Sequence, residues 1–240
     1  MHTTLDNVTE LRQYTLRPGA RGTLIELFER ELIEPQERAG MDVGGLFLDR
    51  DDPDRFVWFR GFASMAARRE SLETFYSGPS WAAHGPAANA TMLDSDDVLL
   101  LRATDPPHPP PPAGDRAPVG ARDGGSQCVA VAVHRHQPDD ALAGWLARDV
   151  HSALQRVLGV PVCTRRTEPA VNDWPRLPVR PDTVFVWSAV FPSIHAHDDA
   201  VRRLGTDPFW QESVEPRLRL QAPALQHLRL KPTPRSRHTA

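Results

Sequence analysis

Two tryptophans set 129 residues apart constrain this chain more than any other feature. Trp58 ends the run Pro53-Asp54-Arg55-Phe56-Val57-Trp58, and Trp187 ends Pro181-Asp182-Thr183-Val184-Phe185-Val186-Trp187. The same spacing (187 − 58 = 129) separates Trp81 from Trp210 and Leu101 from Leu230. Closer to the start the spacing drops to 120, from Pro18 to Pro138 (138 − 18). The 240 residues therefore read as two copies of one unit, the second lengthened in the loop around Glu168 to Pro181. Insertions belong in such surface loops.

Each copy shows the same order of patterns. In the first, Thr9–Leu16 is strand-like, Arg17-Pro18-Gly19 turns, and Leu24, Leu27, Phe28 and Leu32 form one stripe of a helix that Gly40 ends. Strands follow at Val43–Leu48 and Phe56–Phe62, then a helix over about 65–75, a short helical piece after Pro79 and a strand at Val98–Arg102. The second copy repeats this with strands at Cys128–His136, Pro161–Thr167, Thr183–Phe191 and Ala224–Leu230. Its helices fall before Gly159, over Asp198–Leu204 and after Pro208.

The boundaries implied are a unit over 8–103, a linker over 104–126, a second unit over 127–231 and a flexible tail over 232–240. The linker holds Pro106, Pro107 and Pro109–Pro112 and then several glycines, so a stiff stretch should give way to a loose one. The fold class predicted is α+β: tandem ferredoxin-like βαββαβ units closing into an intramolecular dimeric α/β barrel. On the third strand Val57 and Phe59 are expected to meet the helices. Phe56, Trp58, Arg60 and Phe62 then point into the barrel shared with the second unit.

A net charge of −3, with acidic residues interleaved among the arginines, leaves no broad basic surface for nucleic acid. Lys231, Arg235, Arg237 and His238 read as a frayed, solvated end. No apolar run approaches the roughly 20 residues that span a bilayer, and Met1–Asp6 lacks the pattern of a signal peptide. Cys128 and Cys163 read as small, reduced core residues. The localisation expected is cytoplasmic.

Several stretches of the first half resemble the NIPSNAP family: Val8-Thr9-Glu10-Leu11-Arg12-Gln13-Tyr14, the turn Arg17-Pro18-Gly19, Phe56–Phe62, and Phe75-Tyr76-Ser77-Gly78-Pro79-Ser80-Trp81-Ala82-Ala83-His84 with Asn89 following. The second half keeps Trp187 and Asp207-Pro208-Phe209-Trp210 but differs elsewhere. The resemblance implies the same dimeric α/β barrel and, since the family has no settled activity, little about reaction.

Candidate site residues follow from the strand faces. Arg12 and Tyr14 lie two apart on one strand, as an anion clamp beside a phenol or as a barrel-mouth pair held by carboxylates. Arg60, on the Trp58 face, needs a partner if buried, whether protein carboxylate or ligand. His84, three residues after Trp81, can act as acid or base or bridge the units. Asn89 holds a ligand or satisfies a turn. His134 is the counterpart of Tyr14 (134 − 14 = 120) and shares a face with His136. His195 and His197 repeat that spacing, yet no acidic residue completes a ligand set, so no metal is expected. Asp94, Asp96 and Asp97 read as a turn rather than a carboxylate dyad. The function expected is a cofactor-independent small-molecule enzyme of isomerase, cyclase or monooxygenase type, its pocket inside the barrel. Tyr14, His84 and Arg60 would be catalytic, and Arg12, Trp58, Trp81, Asn89 and His134 would bind substrate. A non-catalytic binding or scaffold protein is the alternative, and a homodimer of the whole chain is left open.

Overall fold

The computed structural model describes residues 8–110 and 114–237. Met1–Asp6, Pro111, Pro112 and His238, on which expectations were placed above, lie outside the described residues.

The first unit runs β1 (Val8–Leu16), α1 (Arg21–Leu27), a π-helical turn (Phe28–Leu32), α2 (Ile33–Arg38), β2 (Asp42–Asp49), β3 (Arg55–Phe62), α3 (Met65–Tyr76), α4 (Pro79–Ala90) and β4 (Met92–His108). The second runs β5 (Cys128–Arg135), α5 (Asp140–Trp145), a π-helical turn (Leu146–Val150), α6 (His151–Leu158), β6 (Val162–Thr167), β7 (Val184–Phe191), α7 (Ile194–Leu204), a third π-helical turn (Trp210–Val214), α8 (Glu215–Gln221) and β8 (Ala224–Pro232). The predicted order is thus present twice. Capping repeats as well: Ser64 accepts from the Ala67 amide at the start of α3, and Ser193 from the Ala196 amide at the start of α7.

The eight strands form one closed barrel in the order β1-β3-β2-β8-β5-β7-β6-β4. Each unit supplies four neighbours (4-1-3-2 and 8-5-7-6), and the joins β2–β8 and β6–β4 exchange equivalent strands, as in an isologous dimer. Register repeats too. Arg12 pairs with Trp58 and Glu10 with Arg60; at the shifted positions Ala132 pairs with Trp187 and Ala130 with Ala189. Closure leaves no open sheet edge.

The strand faces are reversed from the sequence-based assignment. Leu11, Phe47, Val57, Leu99 and Leu101 meet Val129, Val131, Val133, Val184, Val186, Leu228 and Leu230 in a cluster drawn only from strands of both units, with Phe59 against it. That is the barrel interior, and it is a packed core. Phe56, Trp58 and Phe62 instead pack against Leu24, Phe28, Leu32 and Leu72 on the helix side. An eight-stranded barrel is just wide enough for its own side chains, and branched aliphatic residues fill it. Arg60 and Trp58 go outside, on the side covered by the helices.

Two further segments depart from expectation. Ala103 and His108 pair with Arg165 and Thr164 of β6, so β4 runs on into what was read as linker. The end of the chain, at least through residue 237, is not frayed: Thr233, Arg235 and Ser236 are buried. The Thr233 and Arg237 amides donate to the Leu46 and Gly44 carbonyls, and the Arg235 amide donates to Glu29. No helix among the described residues is long and apolar enough to cross a membrane.

Candidate functional site

Because β1 alternates, Glu10, Arg12 and Tyr14 share its helix-facing side, beside Arg60 and Trp58 of β3. Arg68 arrives from α3. Glu10, Arg12, Arg60 and Arg68 are all essentially without solvent contact, three cations around one carboxylate. Glu10 Oε2 accepts from Arg60 Nε at 2.7 Å and Arg12 Nη1 at 2.9 Å, while Oε1 accepts from Arg68 Nε at 2.6 Å. Burial alone would raise the Glu10 pKa, but the charges of Arg60, Arg12 and Arg68 outweigh it and hold this group far below the usual carboxylate range. Glu10 is therefore ionised, and the cluster keeps an excess of positive charge. Trp58 Nε1, Arg60 Nη2 and Arg68 Nη2 are buried donors with no acceptor among the described residues.

Arg12 Nε donates to the Tyr14 hydroxyl at 3.1 Å, so Tyr14 can still donate its own proton. Burial pushes the Tyr14 pKa up, against the pull of Arg12, and the phenol stays protonated at neutral pH. The Arg12 guanidinium lies 5.4 Å from the Tyr14 ring centre and 5.6 Å from that of Trp58. Trp58 in turn meets Phe28 edge-on at 4.9 Å and Tyr14 at 5.9 Å.

Above this floor lies a cavity of about 270 Å³ between the sheet and its helices. Arg12, Tyr14 and Trp58 line its base, Phe28, Leu32 and Gln36 one side, and Phe75, Tyr76, Trp81 and Asn89 another. Both tyrosines of the chain are here, so hydroxyls and rings are concentrated at one place. The second unit supplies the rest. Its β6–β7 loop, lengthened by the insertion, brings Trp174, Arg176 and Leu177 over the cavity, and the Arg68 Nη1 donates to Asn172 at 3.0 Å and meets Asp173 at 3.3 Å.

The sequence-predicted set is thus partly assembled, on the other side of the sheet. Arg12, Tyr14, Trp58, Trp81 and Asn89 share the cavity, and Arg60 stands one contact behind it, joined to Glu10 and, at 3.3 Å, to Gln36. His84 does not line it. That side chain is 34% exposed on α4, with Nε2 3.5 Å from Glu31. His134 lies in the second unit, where Nδ1 donates to the Ala222 carbonyl at 3.0 Å and Nε2 has no hydrogen-bond partner among the described residues. His136 bonds the Gln137 carbonyl and His197 bonds Asp198, so neither histidine pair is arranged around a shared point. Glu10, Arg68, Gln36, Tyr76, Trp174 and Arg176 were not singled out from sequence. A signal for Glu10 exists in the repeat: its counterpart is Ala130, so the carboxylate is lost in one copy, whereas Arg68 is matched by the polar His197.

In class, this is a tandem ferredoxin-like α/β barrel with one cationic, aromatic-walled cavity outside the sheet of its first unit. Residues 9–106 match the NIPSNAP family model, so the first unit is similar to that family, and the second unit repeats its order of elements. Two solved structures share the whole architecture. One, described as a candidate monooxygenase, is from Fusobacterium nucleatum (TM-score 0.60, 8% identity, 97% of this chain and 95% of that one). The other, similarly described, is from Lactobacillus acidophilus (TM-score 0.55, 11% identity, 94% and 93%). A NIPSNAP family protein from Agrobacterium tumefaciens is 24% identical over 41% of this chain and 93% of its own, at a TM-score of 0.39. No curated protein matches the sequence.

Proposed function

We propose that the cavity of the first unit binds a small, planar anion and acts on it by proton transfer, without a cofactor. Isomerisation or cyclisation of an enolisable or phenolic ring suits the groups present. Arg12 would hold the anionic oxygen, Tyr14 would donate a hydrogen bond or a proton to charge developing beside it, and Trp58, Phe75 and Trp81 would sandwich the ring. Monooxygenation, the activity named for the two neighbours with matching architecture, would begin with the same proton removal but would also need dioxygen as oxidant. At about 270 Å³ the cavity lies at or below the lower end of the usual range for drug-sized ligands, which favours a single-ring molecule.

One observation carries the reading. The second unit has the same strand register with alanine at three of the four charged positions (Ala130, Ala132 and Ala189), and there the space is filled by Trp187, Leu146, Leu154 and Trp210. The fold therefore does not require buried cations at this place. Arginines whose burial costs desolvation, at positions that the second unit fills with small apolar residues, favour an anionic ligand beside them. Binding without turnover is favoured by a different observation: no histidine lines the cavity, and its one carboxylate is Asp96 at the rim.

Benzoate, titrated calorimetrically, tests the reading. Native protein is expected to bind it, with affinity falling at least tenfold in Arg12→Met, as loss of a charged hydrogen bond implies. Equal binding by native protein and Arg12→Met would overturn it.

A further inference from the structure

We propose that Arg176, carried by the β6–β7 loop of the second unit, recognises a second anionic group on the ligand, so that the natural ligand is a dianion with charges at opposite ends of a short ring system. The inference rests on the anion-site reading of this cavity and narrows it. Arg12 lines the cavity from the sheet at its base, and Arg176 lines it from the loop that crosses its mouth. The two cations thus face one space from different units.

Arg176 is available for this work. It is exposed and takes part in no ion pair among the described residues, whereas Arg180, four positions later, is paired with both Asp97 and Asp182. Its guanidinium sits 5.6 Å from the centre of the Trp174 ring, which orients the group without neutralising it. The loop beneath it is fixed. Asn172 accepts from the Trp174 amide at 3.1 Å and donates to the Leu177 carbonyl at 2.9 Å, while Trp174, Leu177 and Val179 pack on the first unit's core. Asp173 is turned to Arg68, so it is not the partner of Arg176. Asp96 also lines the rim, and no ion pair joins it to Arg176. It opposes any second anion that strays from the arginine.

The test compares benzoate with benzene-1,3-dicarboxylate, benzene-1,4-dicarboxylate and 4-carboxyphenylacetate, three spacings of the second charge. Native protein is expected to bind at least one diacid about tenfold more tightly than benzoate. In Arg176→Gln that ratio should fall towards one, and in Asp96→Asn it should rise. Two results overturn the inference while leaving the anion site intact: benzoate binding that depends on Arg12 with no diacid preferred, or a preference unchanged in Arg176→Gln. Failure of native protein to bind any of the four acids would instead remove the reading beneath it.

Discussion

At Gly85 on α4 a Cβ would fall 2.7 Å from the Trp81 ring, too close for any side chain. The ring of a cavity-lining residue folds back over its own helix there, held by Tyr76 at 4.8 Å and Phe75 at 5.7 Å. Two effects compete in Gly85→Ala. Helix propensity favours alanine by roughly 1 kcal/mol, and overpacking costs roughly 1–3 kcal/mol. The clash is with a ring packed against Tyr76 and Phe75, so net destabilisation is expected, read as a lowered Tm; a raised Tm would show that Trp81 moves freely. His134 carries a second consequence. Burial, with a smaller contribution from His227, depresses its pKa to about 4 against the partial support of the Ala222 carbonyl. Unfolded histidine titrates near 6.5. A neutral folded His134 therefore contributes stability above pH 6.5 that is lost as pH falls towards 4, on the order of 3 kcal/mol in all. Urea midpoints at pH 7.5 and 4.5 should converge in His134→Gln relative to native protein, whereas equal shifts in both would exclude His134 as the source. At this scale Arg12, Tyr14, Trp58 and Trp81 were legible because alternation and residue type mark them. Glu10 and Arg68 were not, since a carboxylate and an arginine fifty-eight positions apart look like surface residues until β1 and α3 are brought together.

The elements themselves were largely written in local pattern, and the errors share one cause. A period of two sorts a strand's residues into two faces but does not label them. Phe56, Trp58, Arg60 and Phe62 were grouped correctly and sent to the wrong side, because the narrowness of a closed barrel is a property of eight strands and not of one. The same limit explains β4, whose extension to His108 rests on pairing with β6 of the other unit rather than on its own proline-rich sequence. It explains the end of the chain as well. Lys231 to Arg237 looks like a solvated basic tail, yet Arg235 is taken up by Glu34 and the carbonyls of Glu29 and Ala117. The two π-helical turns at Phe28–Leu32 and Leu146–Val150 recur at equivalent places, so they belong to the repeated unit, although Phe28 and Leu32 of the first also line the cavity.

For the molecule as a whole, duplication sets a charged unit beside an apolar one. One copy keeps the cationic cavity, and the other, filled in at the matching place, lends a loop to close it. If so, the charges of the first unit are a cost the fold bears for its ligand, and the cost should appear when they are unbalanced. Glu10→Gln leaves Arg12, Arg60 and Arg68 buried around a neutral side chain. Breaking such a cluster from one side costs roughly 3–5 kcal/mol. The triple variant Glu10→Gln, Arg60→Met, Arg68→Met removes two of the stranded charges while keeping most of the volume, as the second unit does with apolar residues. Denaturant midpoints at pH 7 should therefore place the single variant well below native protein and the triple variant between them, having regained most of the loss. A triple variant no more stable than Glu10→Gln would mean that the arginines hold the first unit together by packing and not by charge. The asymmetry between the two copies would then need an origin other than a ligand.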